Sequence, residues 1–330
     1  MWQWSQRFSQ LPAIFYTFTQ PKALPQAAWV QQSEAVATLL GLISNDLQQP
    51  TLLDLCCAHA LPANCQPLAQ GYAAHQFGKF NPFLGDGRVV LLGDVQTPTG
   101  HYEISLKGAG RTAYARTADG RAGINECLKE FQLSERLAAL KIPSLRCLGV
   151  LQSNSELVYR QSFEPAALLV RVMPSHIRFG TFELAYFQKN YANLQQLADF
   201  VLAQHYVDLV KNTNPYAALL TAIVSKTAQL IAQWQAVGFT HGVMNTDNMS
   251  IVGISLDLGS SSFNANFADD YVSSALDEKG RYAFGQQPII GLWNCNVLAR
   301  TFSPLINSAA IKQALQHYEP TYLDTYNALK

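Results

Sequence analysis

The sequence has little charge and no excess of either sign. Only 14% of its 330 residues are Asp, Glu, Lys or Arg, and 23 basic residues balance 23 acidic ones. Proteins that bind nucleic acid or an anionic membrane by electrostatics usually carry an excess of basic residues in a patch. The zero net charge of this sequence gives no sign of such a patch. The composition therefore argues against both kinds of partner. Because 48% of the residues are hydrophobic, it predicts a globular protein with a sizeable core.

Long apolar runs and targeting signals are also missing. No apolar stretch approaches the roughly 20 residues that a helical membrane span needs. The first residues, 1–7, have no basic segment that leads into an apolar block, as a signal peptide would. We therefore expect a cytoplasmic protein without membrane contact.

The six cysteines show no C-x-x-C spacing. Cys56 and Cys57 lie near His59 and Cys65 in the sequence, which leaves a zinc site as an alternative. Structural zinc sites usually have two separated ligand pairs, and this segment lacks that arrangement. Reduced and mostly buried thiols are the favoured interpretation.

The most informative motif is the run 240–248, which ends in Asp247 and Asn248 and is followed nine residues later by Asp257. The intervening residues 249–256 are apolar and β-branched, which is typical of a strand or a tight hairpin. In kinase-like sites a loop Asp orients the attacking hydroxyl, a loop Asn binds metal, and a second Asp binds Mg²⁺ near the phosphates. Asp257 also begins an Asp-x-Gly turn of the kinase form. The alternative is a helix-to-strand loop in which Asn and Asp simply suit the turns.

A second motif lies upstream. An apolar stretch ends at Lys107 and glycines follow it, and Glu130 comes 23 residues after the lysine within a segment of helical periodicity. Protein kinases pair a strand lysine with a helix glutamate to fix the cation that holds nucleotide phosphates. Each residue alone could be an ordinary solvated charge. Together with the downstream motif, and in the kinase order, the pair favours a nucleotide site.

These motifs and several others resemble those of the selenoprotein O family, kinase-like proteins that act as protein nucleotidyltransferases. The matching stretches are long, collinear and spread over most of the chain. They are residues 67–78, 84–88, 106–110, 119–122, 178–183, 241–250, 280–284 and 287–294.

The resemblance implies a role for each matching residue. Lys107 and Glu130 correspond to the family's lysine–glutamate pair, and Asp247 corresponds to the general base. Asn248 and Asp257 would bind the metal, Mg²⁺ or Mn²⁺, through oxygen atoms, which these hard cations prefer. The residues expected to contact the nucleotide are Gly85, Gly87, Arg88, Lys107, Asp119, Gly120, Arg171, Arg178 and Asp257.

The resemblance also implies the reaction. The nucleotide would be bound in a flipped orientation, so that AMP or UMP passes from ATP or UTP to a Ser, Thr or Tyr hydroxyl of an acceptor protein. An ordinary kinase is a weaker alternative, because the sequence has neither a His-Arg-Asp triplet nor the kinase Gly-x-Gly-x-x-Gly-x-Val pattern. A non-catalytic nucleotide-binding remnant is the other alternative. Retention of the full set argues against it: Lys107, Glu130, Asp247, Asn248 and Asp257.

The expected fold is α+β and protein-kinase-like, with a β-rich lobe over 1–174 and a helical lobe over 175–330. Within it, the periodicity predicts helices near 123–140, 182–206 and 216–236. Typical members of the family continue further, so we expect the chain to be a C-terminally shortened form whose helical lobe lacks part of the family's length.

Overall fold

The computed structural model describes residues 2–330 and divides them into two compact units. The first unit consists of residues up to 71 together with 83–139 and 144–176. The second consists of 72–82, 140–143 and 177–330. The short segments 72–82 and 140–143 thus pack with the second unit although they come early in the chain.

The first unit is built on one antiparallel sheet, whose central order is β2-β4-β6-β7-β10-β9-β3. Strands β1, β5 and β8 pair with β6, β4 and β10 respectively. The strands are β1 (Trp4–Ser5), β2 (Tyr16–Phe18), β3 (Ala27–Gln32), β4 (Leu68–Gln76), β5 (Lys79–Gly85), β6 (Val89–Thr97), β7 (Gly100–Lys107), β8 (Ala122–Gly123), β9 (Arg146–Tyr159) and β10 (Phe163–Met173).

Three helices accompany this sheet: α1 (Glu34–Leu39), α2 (Pro50–Cys56) and α3 (Ile124–Ala139). Helix α3 packs on β9 and β10 through a buried face at helical spacing. That face includes Ile124, Cys127 and Phe131, and it also includes Glu130, which is fully buried. Burial of a carboxylate requires compensating charges or hydrogen bonds, so Glu130 must be paired.

The second unit is mainly helical. Its elements are α4 (Phe179–Phe187), α5 (Tyr191–His205), α6 (Pro215–Val237), α7 (Gln287–Thr301), α8 (Ser308–Leu315) and α9 (Tyr318–Leu329), with the small strands β11 (Phe239–Thr240) and β12 (Ser262–Phe263). Helix α6 is the central element and contacts α7, α8 and α9. The α+β class, with a β-rich first part and a helical second part, is confirmed.

Local chemistry explains the ends of α6. The side chain of Asn214 accepts a hydrogen bond from the backbone N–H of Ala217 at 3.2 Å, and Pro215 occupies the first helical position. Gly238 ends the helix with a φ of 71°, the left-handed conformation that favours glycine. The helix therefore delivers the chain into the 240–248 run at a defined point.

One helix prediction was wrong. The segment 182–206 is not continuous but forms α4 and α5, because the side chain of Asn190 accepts a hydrogen bond from the backbone N–H of Asn193 and begins a new helix. Within residues 2–330, none of the helices combines the length and apolarity needed to cross a bilayer.

The six cysteines are free thiols, and all except Cys65 are buried. Asp54, Cys57 and His59, at the end of α2, have potential ligand atoms within 4.8 Å of one another. Neither Cys56 nor Cys65 belongs to this cluster.

Phe182 tests the packing of the second unit. Its side chain is fully buried and stacks on Phe302 with the ring centroids 5.3 Å apart. We expect Phe182→Ala to lower the free energy of unfolding by about 3–5 kcal/mol, because it removes buried area and leaves a cavity. Urea denaturation followed by circular dichroism measures this change. Phe83→Ala is the matched control, since Phe83 is 81% exposed, and equal midpoints for both variants would contradict the packing described.

Candidate active site

The predicted site residues fall into two clusters, one in each unit. The first cluster is a chain of alternating charges centred on Lys107, at the end of β7. The ammonium Nζ of Lys107 lies 2.7 Å from Glu130 Oε2 and 2.5 Å from Glu126 Oε1. The structure thus brings together the lysine and glutamate that the sequence analysis paired.

The charge chain extends at both ends. Arg88 donates two hydrogen bonds to the Glu126 carboxylate, at 2.8 and 2.7 Å, in the bidentate geometry that favours arginine. At the other end, Arg171 Nη2 lies 2.5 Å from Glu130 Oε1, and the Arg171 side chain is only 1% exposed. Three cations therefore share two carboxylates, which leaves one net positive charge in this cluster.

Burial and charge act in opposite directions on Lys107. Burial of the ammonium would lower the pKa of Lys107, but the carboxylates of Glu130 and Glu126 outweigh that effect and the pKa is raised. Burial likewise opposes ionisation of Glu126, yet the charges of Lys107 and Arg88 hold its pKa at about 2. Lys107 is therefore a permanent cation at neutral pH.

Glu126 is a site residue that the sequence analysis missed. It lies four residues before Glu130 on α3, and residues at that spacing face the same side of a helix. The pattern itself could have revealed it, because a lysine placed opposite that side can reach both carboxylates.

Arg88 and Arg171 were expected to contact the nucleotide, and the structure pairs each with a carboxylate. Arg171, on β10, is enclosed by protein beside Glu130, whereas Arg88 keeps 37% of its side chain exposed. A phosphate contact remains a prediction for both arginines.

The predicted glycine contacts lie beside a loop of the first unit. A Cβ at Gly85 would fall 2.3 Å from the Tyr114 ring, and one at Gly87 would fall 3.1 Å from the Ala115 backbone. Gly120 has a φ of 77°, and a Cβ there would be 2.1 Å from the Gly110 carbonyl carbon. Close packing of loops within the protein is therefore a sufficient reason for glycine at these positions.

Asp119 precedes Gly120 and forms an ion pair with Arg160. The two side chains approach to 2.9 Å, and half of the Asp119 side chain is exposed. Hydrogen bonds from Arg160 lower the pKa of Asp119, so its carboxylate is ionised at neutral pH.

The second cluster surrounds Arg178, immediately before α4. Arg178 Nη1 donates to the backbone carbonyl of Asp247 at 2.8 Å and to Asp257 Oδ2 at 3.2 Å. Its guanidinium lies 4.7 Å from the centre of the Tyr72 ring, and its side chain is 3% exposed. This one buried cation ties together the two aspartates that the sequence analysis proposed.

Asp247 lies on a short 3₁₀ turn, Thr246–Asn248, and is almost completely buried. Gln76 Nε2 donates to its Oδ2 at 3.2 Å, whereas the buried Oδ1 has no hydrogen-bond partner among the described residues. Burial raises the pKa of Asp247 to about 6; Arg178 opposes that rise and the Asp257 charge adds to it. A carboxylate with one unused oxygen and a pKa near neutrality suits a proton acceptor.

The two predicted metal ligands are Asn248 and Asp257. The side-chain amide of Asn248 donates to the Val243 carbonyl at 2.8 Å, which leaves its Oδ1 as the oxygen ligand. Asp257 has a φ of 50° and a ψ of 59°, a left-handed conformation that Asp adopts more readily than most residues with a side chain. Both donors are oxygen atoms, so the set fits Mg²⁺ or Mn²⁺ in kind.

His241, which precedes Asp247 by six residues, has a structural position. Its Nε2 lies 2.7 Å from the Leu256 carbonyl, and its ring contacts that of Trp234 at 5.4 Å. Burial lowers the pKa of His241, so the ring is neutral at physiological pH.

Comparison with known proteins identifies the family of this chain. The family model for "Protein adenylyltransferase SelO" matches residues 1–330, which is the whole chain. The chain belongs to the SelO family.

Curated relatives of this SelO chain share the similarity over nearly all of its length. "Protein nucleotidyltransferase YdiU" of Aliivibrio salmonicida is 44% identical over 316 residues, which cover 96% of this chain and 65% of the relative. The protein of the same name in Herminiimonas arsenicoxydans is 43% identical and covers 98% of this chain and 65% of the relative. The chain thus spans slightly less than two thirds of the length of these two relatives.

The similarity to solved structures is weaker. ROP2 from Toxoplasma gondii, described as having a protein-kinase fold and no enzymatic activity, covers 79% of this chain at 11% identity and a TM-score of 0.35.

Glu130 tests the first cluster. We expect Glu130→Gln to lower the free energy of unfolding by about 3–5 kcal/mol, because Lys107 and Arg171 would remain buried without the carboxylate between them. Glu126→Gln is the matched control: it removes the same charge from the same helix face, but at a side chain that is 27% exposed. Urea denaturation of both variants measures the difference, and equal losses would contradict a special role for the buried carboxylate.

Asp247 gives a prediction with a defined pH dependence. Its pKa in the folded protein, about 6, exceeds the ordinary value of 3.8, so the folded state binds the proton more tightly than the unfolded state. Stability contributed by the protonated form is therefore lost as the pH rises through 6. We expect Asp247→Asn to raise the free energy of unfolding at pH 8 by up to about 3 kcal/mol, and to have little effect near pH 3.

Thermal unfolding across this pH range, in the presence of a chelator, measures that effect. Asp324→Asn is the control, because Asp324 is an exposed aspartate of α9. A lower stability of Asp247→Asn at pH 8 would show that ionised Asp247 is stabilising and would contradict the raised pKa.

Proposed function

We propose that this chain transfers AMP or UMP from ATP or UTP to Ser, Thr or Tyr hydroxyls of acceptor proteins, with Mg²⁺ or Mn²⁺ bound. The observation that carries the proposal is the buried Arg178 cluster, in which one guanidinium holds Asp257 and the Asp247 backbone. Asp247 Oδ1 has no hydrogen-bond partner within residues 2–330. Membership of the SelO family supports the same reaction.

Asp247 would act on the acceptor. The acceptor hydroxyl would donate its hydrogen bond to the free Oδ1, which points its oxygen lone pair away from the carboxylate and orients it for attack. As the bond between that oxygen and the α-phosphorus forms, the bond from the α-phosphorus to the pyrophosphate oxygen breaks. The hydroxyl proton passes to Asp247, and pyrophosphate leaves.

The cations would neutralise the charge of the triphosphate. Lys107 is held in place by Glu130 and Glu126, and the one net positive charge of that cluster would face phosphate oxygens. Asn248 and Asp257 would hold the metal, which supplies further neutralisation when it is bound. Arg178 fixes the position of Asp257, so that this ligand does not need to reorganise during the reaction.

The position of a radioactive phosphate in the nucleotide distinguishes the candidate functions. The purified chain is incubated with Mg²⁺ or Mn²⁺ and with ATP or UTP labelled at either the α- or the γ-phosphate, using casein and the chain itself as acceptors. We expect protein-bound label from the α-position only, and at least about 100-fold less with Asp257→Asn, because loss of one charge-stabilising group typically costs 10²–10³ in rate. Asp324→Asn is the control substitution and is expected to leave labelling unchanged.

The other outcomes have defined meanings. Label from the γ-phosphate would identify an ordinary kinase. Absence of label from either position, with nucleotide binding retained in equilibrium dialysis, would identify a non-catalytic nucleotide-binding protein. Labelling that survives Asp257→Asn would contradict the assigned metal ligand.

A further inference from the structure

A cavity of about 830 Å³ opens on the second unit, and Phe77 forms part of its lining. We name it the Phe77 pocket. Phe77 and Ile290 contribute apolar surface to its lining, and Lys279 and Arg281 contribute cations. Asp269 and Asp270 also line it. None of these side chains has a role in the proposed transfer reaction.

The pocket is connected to Asp247 by hydrogen bonds. Gln76 donates to the Asp247 carboxylate, and Phe77 is the next residue along the chain. The backbone N–H of Phe77 lies 3.0 Å from both Asn245 Oδ1 and the Tyr282 hydroxyl, and that hydroxyl donates to Asn245 at 2.6 Å. Phe77, which lines the pocket, is therefore fixed to the loop that carries the proposed base.

Phe77 has an unusual backbone for its residue type. It has a φ of 49° and is followed by Gly78 with a φ of 78°, and together they form the two-residue turn between β4 and β5. Turns with two positive φ values favour Asn, Asp or Gly, whereas a bulky residue in this conformation is an outlier. The hydrogen bonds of Asn245 and Tyr282 hold the turn, and the Phe77 ring remains 40% exposed. A strained aromatic residue that stays open to solvent indicates a functional surface.

The Arg281 side chain forms a hydrogen bond with the Tyr282 side chain and otherwise packs against a ring and backbone. Its guanidinium lies 4.8 Å from the centre of the Trp293 ring and against the backbone of Gly78. Its buried Nε has no hydrogen-bond partner among residues 2–330. A planar guanidinium that is fixed by stacking keeps its donors in a defined geometry, which is suited to a carboxylate.

We propose that the Phe77 pocket binds the acceptor protein beside the hydroxyl that is modified, with an apolar side chain against Phe77 and Ile290 and a carboxylate at Arg281. The hydroxyl itself is then presented to Asp247. This inference rests on the proposed function and adds the chemistry of the acceptor segment. Because the lining contains Asp269 and Asp270 as well as Lys279 and Arg281, the pocket disfavours a uniformly acidic or uniformly basic segment.

A peptide library tests this specificity. Each peptide has one Ser, and the three positions on either side are Leu, Asp, Lys or Ala in turn. Binding is measured by fluorescence anisotropy and transfer by α-labelled ATP. We expect the wild-type chain to prefer Leu at one position and Asp at another, each by at least tenfold over Ala.

Two variants separate the parts of the pocket. Phe77→Asn is chosen because Asn tolerates a positive φ, so the turn should form and the melting temperature should be unchanged or higher. It is expected to abolish the preference for Leu and keep that for Asp, and Arg281→Gln is expected to do the reverse. Both should raise the KM for the peptide while leaving the KM for ATP unchanged. Phe83→Ala, at an exposed aromatic residue outside the pocket, is the control.

The outcomes distinguish this inference from the function on which it rests. Selective peptide binding that depends on Phe77 and Arg281, without any α-label transfer, would support the pocket and overturn the transferase. Transfer or binding with the same preferences in both variants would overturn the pocket alone. A change in the KM for ATP in place of the KM for the peptide would also overturn it, as would binding no tighter than that of the all-alanine peptide.

Discussion

The pairing of buried charge is the constraint on which the first unit depends. Glu130 lies on the inner face of α3, fully buried, and a lone carboxylate there would cost far more free energy than the helix gains by packing. Lys107 from β7 and Arg171 from β10 approach it from the sheet. The helix can pack only where it meets both cations, so the ion cluster fixes where α3 lies on the strands. The same cluster holds Lys107 charged and in one position.

The second unit also pairs buried charges, but in a smaller cluster. Arg178 is buried against Tyr72 and joins the backbone of Asp247 to the carboxylate of Asp257. A short loop separates these two aspartates in the chain. Here burial outweighs the effect of the cation, so the pKa of Asp247 stays raised, and its Oδ1 has no hydrogen-bond partner in the part of the chain that the structure describes. In each unit a buried arginine holds the side chains to which the proposed function gives a role. An Arg to Lys change at either position would lose the planar, multiple-donor geometry on which this support depends.

Periodicity predicted much of the secondary structure. Helices α3 and α6 lie within one or two residues of their predicted limits, since each has a continuous apolar face. The ends of α6 are also marked by Asn214 and Gly238. The segment 182–206 was predicted as one helix because apolar residues continue through it. A side-chain cap at Asn190 divides it into two helices. Such caps depend on local side-chain hydrogen bonds, which the spacing of apolar residues does not reveal. The hairpin turn at Phe77 was missed for a related reason, since its first residue is not one that favours a positive φ.

The sequence by itself determined the family, the α+β class and the identity of the charged groups, because residue types and spacing along the chain carry that information. It paired Lys107 with Glu130 correctly, since a strand end and a helix face at that separation can meet. Only the tertiary structure decided which other charges join them. Arg171 and Arg88 each end beside a carboxylate, and the glycines at 85 and 87 lie against the loop of Tyr114 and Ala115. Such choices depend on distances between strands and loops that are remote in sequence, and on the desolvation of each ion, neither of which can be read from the order of residues.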